Sequence, residues 1–124
     1  MEPKSLLLVA AGGAFGAAAR YAVSEWIPGE FPWSTLAVNI IGSFLLGVLI
    51  AMALINEQIT PEIVLLVGTG ALGAFTTMST LSVDVIQLFD TGDKIPAITY
   101  IMANFTLCPL FAFIGWRYIP MIIS

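Results

Sequence analysis

Long apolar runs separated by short clusters of proline, glycine and charge organise this chain. Four runs emerge, at about 5–27, 34–55, 61–89 and 95–119, with breaks at PGEFPW, NEQITPE and DTGDK. A helix needs about 20 predominantly apolar residues to cross the hydrocarbon of a bilayer. Each run is therefore long enough to span, and the third is longer than one crossing needs. Thr60 and Pro61 read as the N-cap and first helical residue of the third run, and Pro96 is tolerated in the first turn of the fourth. Trp26 and Trp33 lie near facing ends of the first two runs, and Trp116 and Tyr118 near the end of the last, where interfacial aromatic anchors belong. The pattern predicts an all-α integral membrane protein in which residues 1–124 form one unit of four transmembrane helices.

Polar residues inside such runs cost several kcal/mol unless they find partners, so function is sought there. Thr35, Asn39 and Ser43 follow i, i+4, i+8 in the second run, and Tyr100, Asn104 and Cys108 follow the same spacing in the fourth. Each set is one helical stripe. Two readings stand for these groups: hydrogen-bonding tracks that face a shared path, or glue between helices. The third run holds Gly68, Gly70 and Gly73, followed by Thr76, Thr77, Ser79, Thr80 and Ser82. Glycines weaken a helix, and the hydroxyls can satisfy backbone groups that a break sets free. A helix broken near the bilayer middle is expected, with carbonyls placed to coordinate a cation; a glycine-rich helix packed closely on a neighbour is the alternative. Gly12, Gly13 and Gly16, with Ala17 to Ala19, read as a packing face, and so do Gly42 and Gly47. Arg20 is either a snorkelling charge or the positive wall of a vestibule, and Asp84 either a path-side acid or a helix-end polar group.

Composition sharpens the class. The chain of 124 residues is 59% hydrophobic and 10% charged, with mean hydropathy +0.99. That leaves no room for a soluble catalytic domain, and no enzyme activity is expected. The first run is too long and glycine-rich for a signal peptide. One cysteine excludes an internal disulfide framework, and the absence of histidine removes the commonest metal ligand and neutral-pH proton carrier. No nucleic-acid partner is expected. Lys and Arg divide evenly: Lys4 and Arg117 share one side of a four-span chain, Arg20 and Lys94 the other. With no bias to orient it, the chain is expected to insert both ways and to pair as a dual-topology antiparallel dimer.

Three stretches resemble, in order, the signature blocks of the Fluc/CrcB fluoride channels: GGAFGAAARY from Gly12, STLAVNIIGSFLLG from Ser34 and GALGAFTTMSTLSVD from Gly70. The likeness covers nearly the whole chain. It implies a fluoride-selective channel in the cell inner membrane that exports fluoride passively, as an antiparallel homodimer with a broken third helix and a central structural sodium ion. By resemblance the sodium ligands are the backbone carbonyls of Gly73 and Thr76. Asn39 matches the pore asparagine, Thr35, Tyr100, Asn104 and Cys108 fall on the polar track, and Arg20 matches the arginine of the first block. The implied path is lined by these residues with Met78, Ser79, Thr80 and Leu81, and Arg20 and Asp84 flank it.

One departure matters. The family usually reads T-F-S-T-F-S-x-E where this chain has Thr77-Met78-Ser79-Thr80-Leu81-Ser82-Val83-Asp84. Both phenylalanines, whose ring edges line the family's ion path, are replaced. Methionine can fill a ring's space, while leucine supplies bulk without a polar edge. A heterodimer, in which a paralogue supplies the working pore to a non-conducting chain, is thus an alternative to the homodimer. A proton-coupled multidrug exporter of similar size is the other, but it needs an embedded acid, and the first two runs hold none in their interiors.

Overall fold

The computed structural model describes residues 1–92 and 94–123. It is all-helical, and each of the four apolar runs lies on a helical stretch long enough to cross a membrane. The first is α1, Pro3–Trp26. The second is α2, Trp33–Ile55. The third run starts with α3, Pro61–Ile63, where the Thr60 hydroxyl accepts the Ile63 N–H at 3.3 Å as an N-cap should. It continues without a gap as a π-helical segment, Val64–Leu72, and as α4, Gly73–Phe75. Helical structure then stops, and α5 runs from Ser79 to Asp90. The fourth run is α6, Lys94–Arg117, which ends two residues before the predicted limit; Tyr118 leads into a short α7, Ile119–Ile123.

Packing divides the four runs into two close pairs, α2 with α6 and α1 with the π-helical segment and α4. Both pairs approach through glycine. A methyl group at Gly12 would strike the Leu66 carbonyl, and one at Gly16 the Ala71 carbonyl. Gly70 faces back, with Gly12 Cα 3.0 Å from where its own methyl would sit. In the other pair Gly47 lies against the Ala112 carbonyl and Gly115 against that of Phe44. Small residues let helices approach where lipid provides no hydrophobic drive for association. Gly13 faces the same seam as Gly12 with room to spare, the Gly70 carbonyl lying 3.9 Å from where a methyl there would sit.

The interior is small. Leu36, Leu81, Leu88, Ala97 and Tyr100 form a buried cluster joining α2, α5 and α6. Large apolar side chains such as Leu7, Phe15 and Ile122 are more than two-thirds exposed. A chain with its oily surface outward and hydrogen-bonding groups inward suits a hydrocarbon solvent. Among the described residues, every buried side-chain nitrogen or oxygen has a hydrogen-bond partner.

Candidate functional site

The interruption between α4 and α5 lies beside Asn39 of α2. Thr76 is extended, with φ −86° and ψ 158°, which turns its carbonyl away from the helix axis. Side chains then take over the bonding of the loosened backbone. The Thr77 N–H donates to Asn39 Oδ1 at 2.8 Å, and Asn39 Nδ2 donates to the Thr77 carbonyl at 3.2 Å. One amide thus grips both polar groups of one residue, as a neighbouring strand would. The second proton of Asn39 Nδ2 goes to Asn104 Oδ1 of α6 at 3.1 Å, and Asn104 Nδ2 donates to the Tyr100 carbonyl at 2.9 Å. Asn39 and Asn104 are both buried. Their amides form a hydrogen-bonded relay from the Thr77 backbone to α6.

Hydroxyls complete the restoration. Thr77 Oγ1 accepts the Thr80 N–H at 3.1 Å, the bond an N-cap makes to start α5, and lies 3.3 Å from Ser79 Oγ. Thr76 Oγ1 donates to the Leu72 carbonyl at 3.1 Å and Ser82 Oγ to that of Met78 at 2.8 Å, each reaching back one turn. In an uninterrupted helix the N–H groups of Thr77 and Thr80 would serve the carbonyls of Gly73 and Thr76. Here Asn39 and Thr77 Oγ1 claim those donors instead.

Two cavities flank this junction. The larger, an open groove of about 390 Å³, is lined by Asn39, Gly73, Thr76, Met78, Leu81, Asn104 and Cys108 among the residues singled out from the sequence. Ser43 and Thr77, also named from the sequence, line it too, with Phe105 and Pro109. The smaller, about 170 Å³, gathers Arg20, Thr35 and Thr80 with Tyr21, Ser24, Ser34, Val38 and Thr77. Thr77 faces both cavities, so its Asn39-bound backbone is the wall between them. Arg20 does not extend outward: its Nε donates to the Ala74 carbonyl at 3.0 Å, tying α1 to the end of α4, where helix carbonyls carry partial negative charge.

Three residues lie away from these walls. Ser79 lines neither cavity and pairs with Thr77. Tyr100 is completely buried, edge-on to Phe31, and its hydroxyl donates to Asp84 Oδ2 at 2.8 Å while also meeting Thr35. Asp84 is part of a separate small hollow with Glu30 and Gln87. Met78 and Leu81, three residues apart, differ sharply: Met78 is 60% exposed at the groove's rim, whereas Leu81 is 6% exposed and packs in the core. The sequence marks Thr77 only as one hydroxyl in a run; that its backbone pairs with the Asn39 amide depends on how α2 lies against the third run and has no local signal.

Within four helices long and apolar enough to cross a membrane, the site is thus a pair of buried amides set between an open groove and a smaller hollow that holds Arg20. Residues 7–116 match the family described as CrcB-like protein, Camphor Resistance (CrcB). The chain belongs to that family. It is 41% identical over 115 residues to a protein of Shewanella sp. (strain W3-18-1) named fluoride-specific ion channel FluC, covering 90% of this chain and 92% of that one. It is 43% identical, with the same coverage, to the protein of that name from Shewanella woodyi (strain ATCC 51908 / MS32). These relatives are named as ion channels, not as enzymes, and this chain is a multi-pass membrane protein of their kind.

Proposed function

We propose that this protein is a fluoride-selective channel that lets fluoride leave the cell down its gradient, working in the inner membrane as an antiparallel homodimer. The observation that carries the reading is the Asn39 amide, buried beside an open groove and aimed at the unwound Thr77 backbone, in a chain whose relatives are named fluoride-specific channels. Fluoride is small and strongly hydrated, so a pore must replace its water with donors held in place beforehand. Asn39 and Asn104 supply amide N–H groups, Thr35, Thr77 and Thr80 supply hydroxyls, and Arg20 supplies the field that draws an anion to the smaller cavity. An arriving fluoride competes for the Asn39 N–H with two neutral oxygens, a more even exchange than stripping water unaided. Cys108 continues the α6 track as a weak donor opposite Ser43.

In this reading the gap between α4 and α5 lies near the bilayer middle, where the two copies meet. The carbonyls of Gly73 and Thr76, whose helical donors are engaged elsewhere, fit a sodium ion shared between the copies. Sodium there would neutralise carbonyl dipoles of both chains and hold the dimer together. Replacing sodium by N-methylglucamine is expected to lower the dimer's thermal stability, with sodium restoring it.

Efflux from liposomes containing this chain alone, followed with a fluoride electrode and run beside chloride, tests the proposal. Rapid fluoride release without chloride release is expected. Silence from folded, dimeric protein would assign conduction to a partner chain and leave this one a structural subunit.

A further inference from the structure

A different hollow, about 320 Å³, opens where the C-terminal ends of α2 and α6 meet α7. Leu54, Ile55, Pro120 and Met121 give it an apolar wall, and Trp116 and Arg117 stand at its mouth. Leu54, Ile55 and Met121 are well exposed, so the wall has room for an occupant. Arg117 is the last residue of α6, which places its charge at the end of a membrane-crossing helix, beside the indole of Trp116. That is the depth of lipid headgroups. A guanidinium carries five N–H donors. Among the described residues its hydrogen-bond partner is Met121 Sδ, 3.7 Å from Nη1, and thioether sulfur is a weak acceptor. A cation with no carboxylate partner among the described residues, with an oily groove running beside it, complements a molecule that joins a phosphate to an acyl chain.

We propose that this hollow binds one anionic glycerophospholipid, its phosphate on Arg117 and an acyl chain along Leu54, Ile55 and Met121. An anionic head suits the site better than a zwitterionic one, which brings its own cation to the phosphate. The site is on the far side of α2 and α6 from Trp26 and Trp33 and is independent of the ion conducted.

Trp116 reports on it directly. In protein carrying Trp26→Phe and Trp33→Phe, Trp116 is the remaining one of three tryptophans. Brominated phosphatidylglycerol is expected to quench it with about fivefold higher apparent affinity than brominated phosphatidylcholine, the effect of roughly one interfacial cation. Arg117→Gln should abolish that preference and Arg117→Lys should keep it, and free glycerol phosphate should not compete. Equal quenching by both lipids, or a preference that survives Arg117→Gln, would overturn the proposal. So would competition by glycerol phosphate, which marks a soluble-anion site, or absence of quenching because a second copy covers the hollow.

Discussion

Two seams hold the third run, and they work by opposite means. Against α1, the π-helical segment and α4 are fixed by the absence of side chains, with Gly12 and Gly16 letting backbone meet backbone. Against α2 and α6, the next few residues are fixed by the presence of side chains, with Asn39 and Asn104 bonding a backbone that has left the helix. The first seam is made of close backbone contacts and serves to set position. The second spends buried polar groups, costly in a membrane, where the proposed channel would handle its anion. Arg20 joins the two, since it rises from the glycine face of α1 to cap the carbonyl end of α4.

The largest expected effect comes from filling the glycine seam. Gly16→Leu forces a side chain into the Ala71 backbone, which has no rotamer to yield, so loss of folded protein in detergent chromatography is expected. Gly13→Ala on the same helix, where a methyl meets Gly70 and Ala74 only at ordinary contact distance, should leave yield and thermal stability unchanged. Equal damage from both would mean that helix propensity and not close approach explains the glycines.

Next comes the polar seam. Asn39→Ala leaves the Thr77 N–H and carbonyl and Asn104 Oδ1 without their partner, a cost of about 2–4 kcal/mol in unfolding free energy. Fluoride efflux per folded dimer should fall by roughly 100-fold or more, the rate equivalent of about 3 kcal/mol. A variant that loses stability but conducts normally would show that the amide only holds the break.

A smaller effect separates the two residues that replace the family's phenylalanines. Leu81→Phe adds volume to the buried cluster that Leu81 shares with Leu36, Leu88 and Tyr100 at the groove's inner edge and should destabilise by about 1–3 kcal/mol, whereas Met78→Phe, at an exposed rim, should be nearly neutral. Thermal unfolding of the two single variants compares them, and similar losses would place Met78 against a surface that only the dimer buries.

How far the sequence reveals this arrangement follows from which forces are local. The four crossing helices are readable because a 20-residue apolar run is a property of the run itself, and the Thr60–Pro61 start is a capping pattern spanning a few residues. The stripes of Asn39 and Asn104 are readable as faces, yet their mutual bond depends on how α2 and α6 rotate against each other, which the Gly47 and Gly115 contacts decide. The π-helical turns of Val64–Leu72 leave no local signature. That segment lies along α1, and i to i−5 bonding such as Gly73 N–H to the Gly68 carbonyl is a tertiary outcome. Spacing alone also makes Met78 and Leu81 look equivalent, although one faces outward and the other fills the core. The family likeness, in turn, points to the carbonyls of Gly73 and Thr76 but not to the Thr77 backbone that Asn39 grips.

The most direct test of the channel reading is fluoride efflux from liposomes carrying Asn39→Asp beside wild type, with both confirmed dimeric. The aspartate keeps the shape, replaces the amide's donors by a second acceptor and adds a negative charge at the seam. Fast, chloride-excluding fluoride release from wild type, reduced to the level of empty liposomes in the variant, is the expected result. Undiminished fluoride release from Asn39→Asp would contradict it and move the ion path away from the Asn39–Thr77 junction.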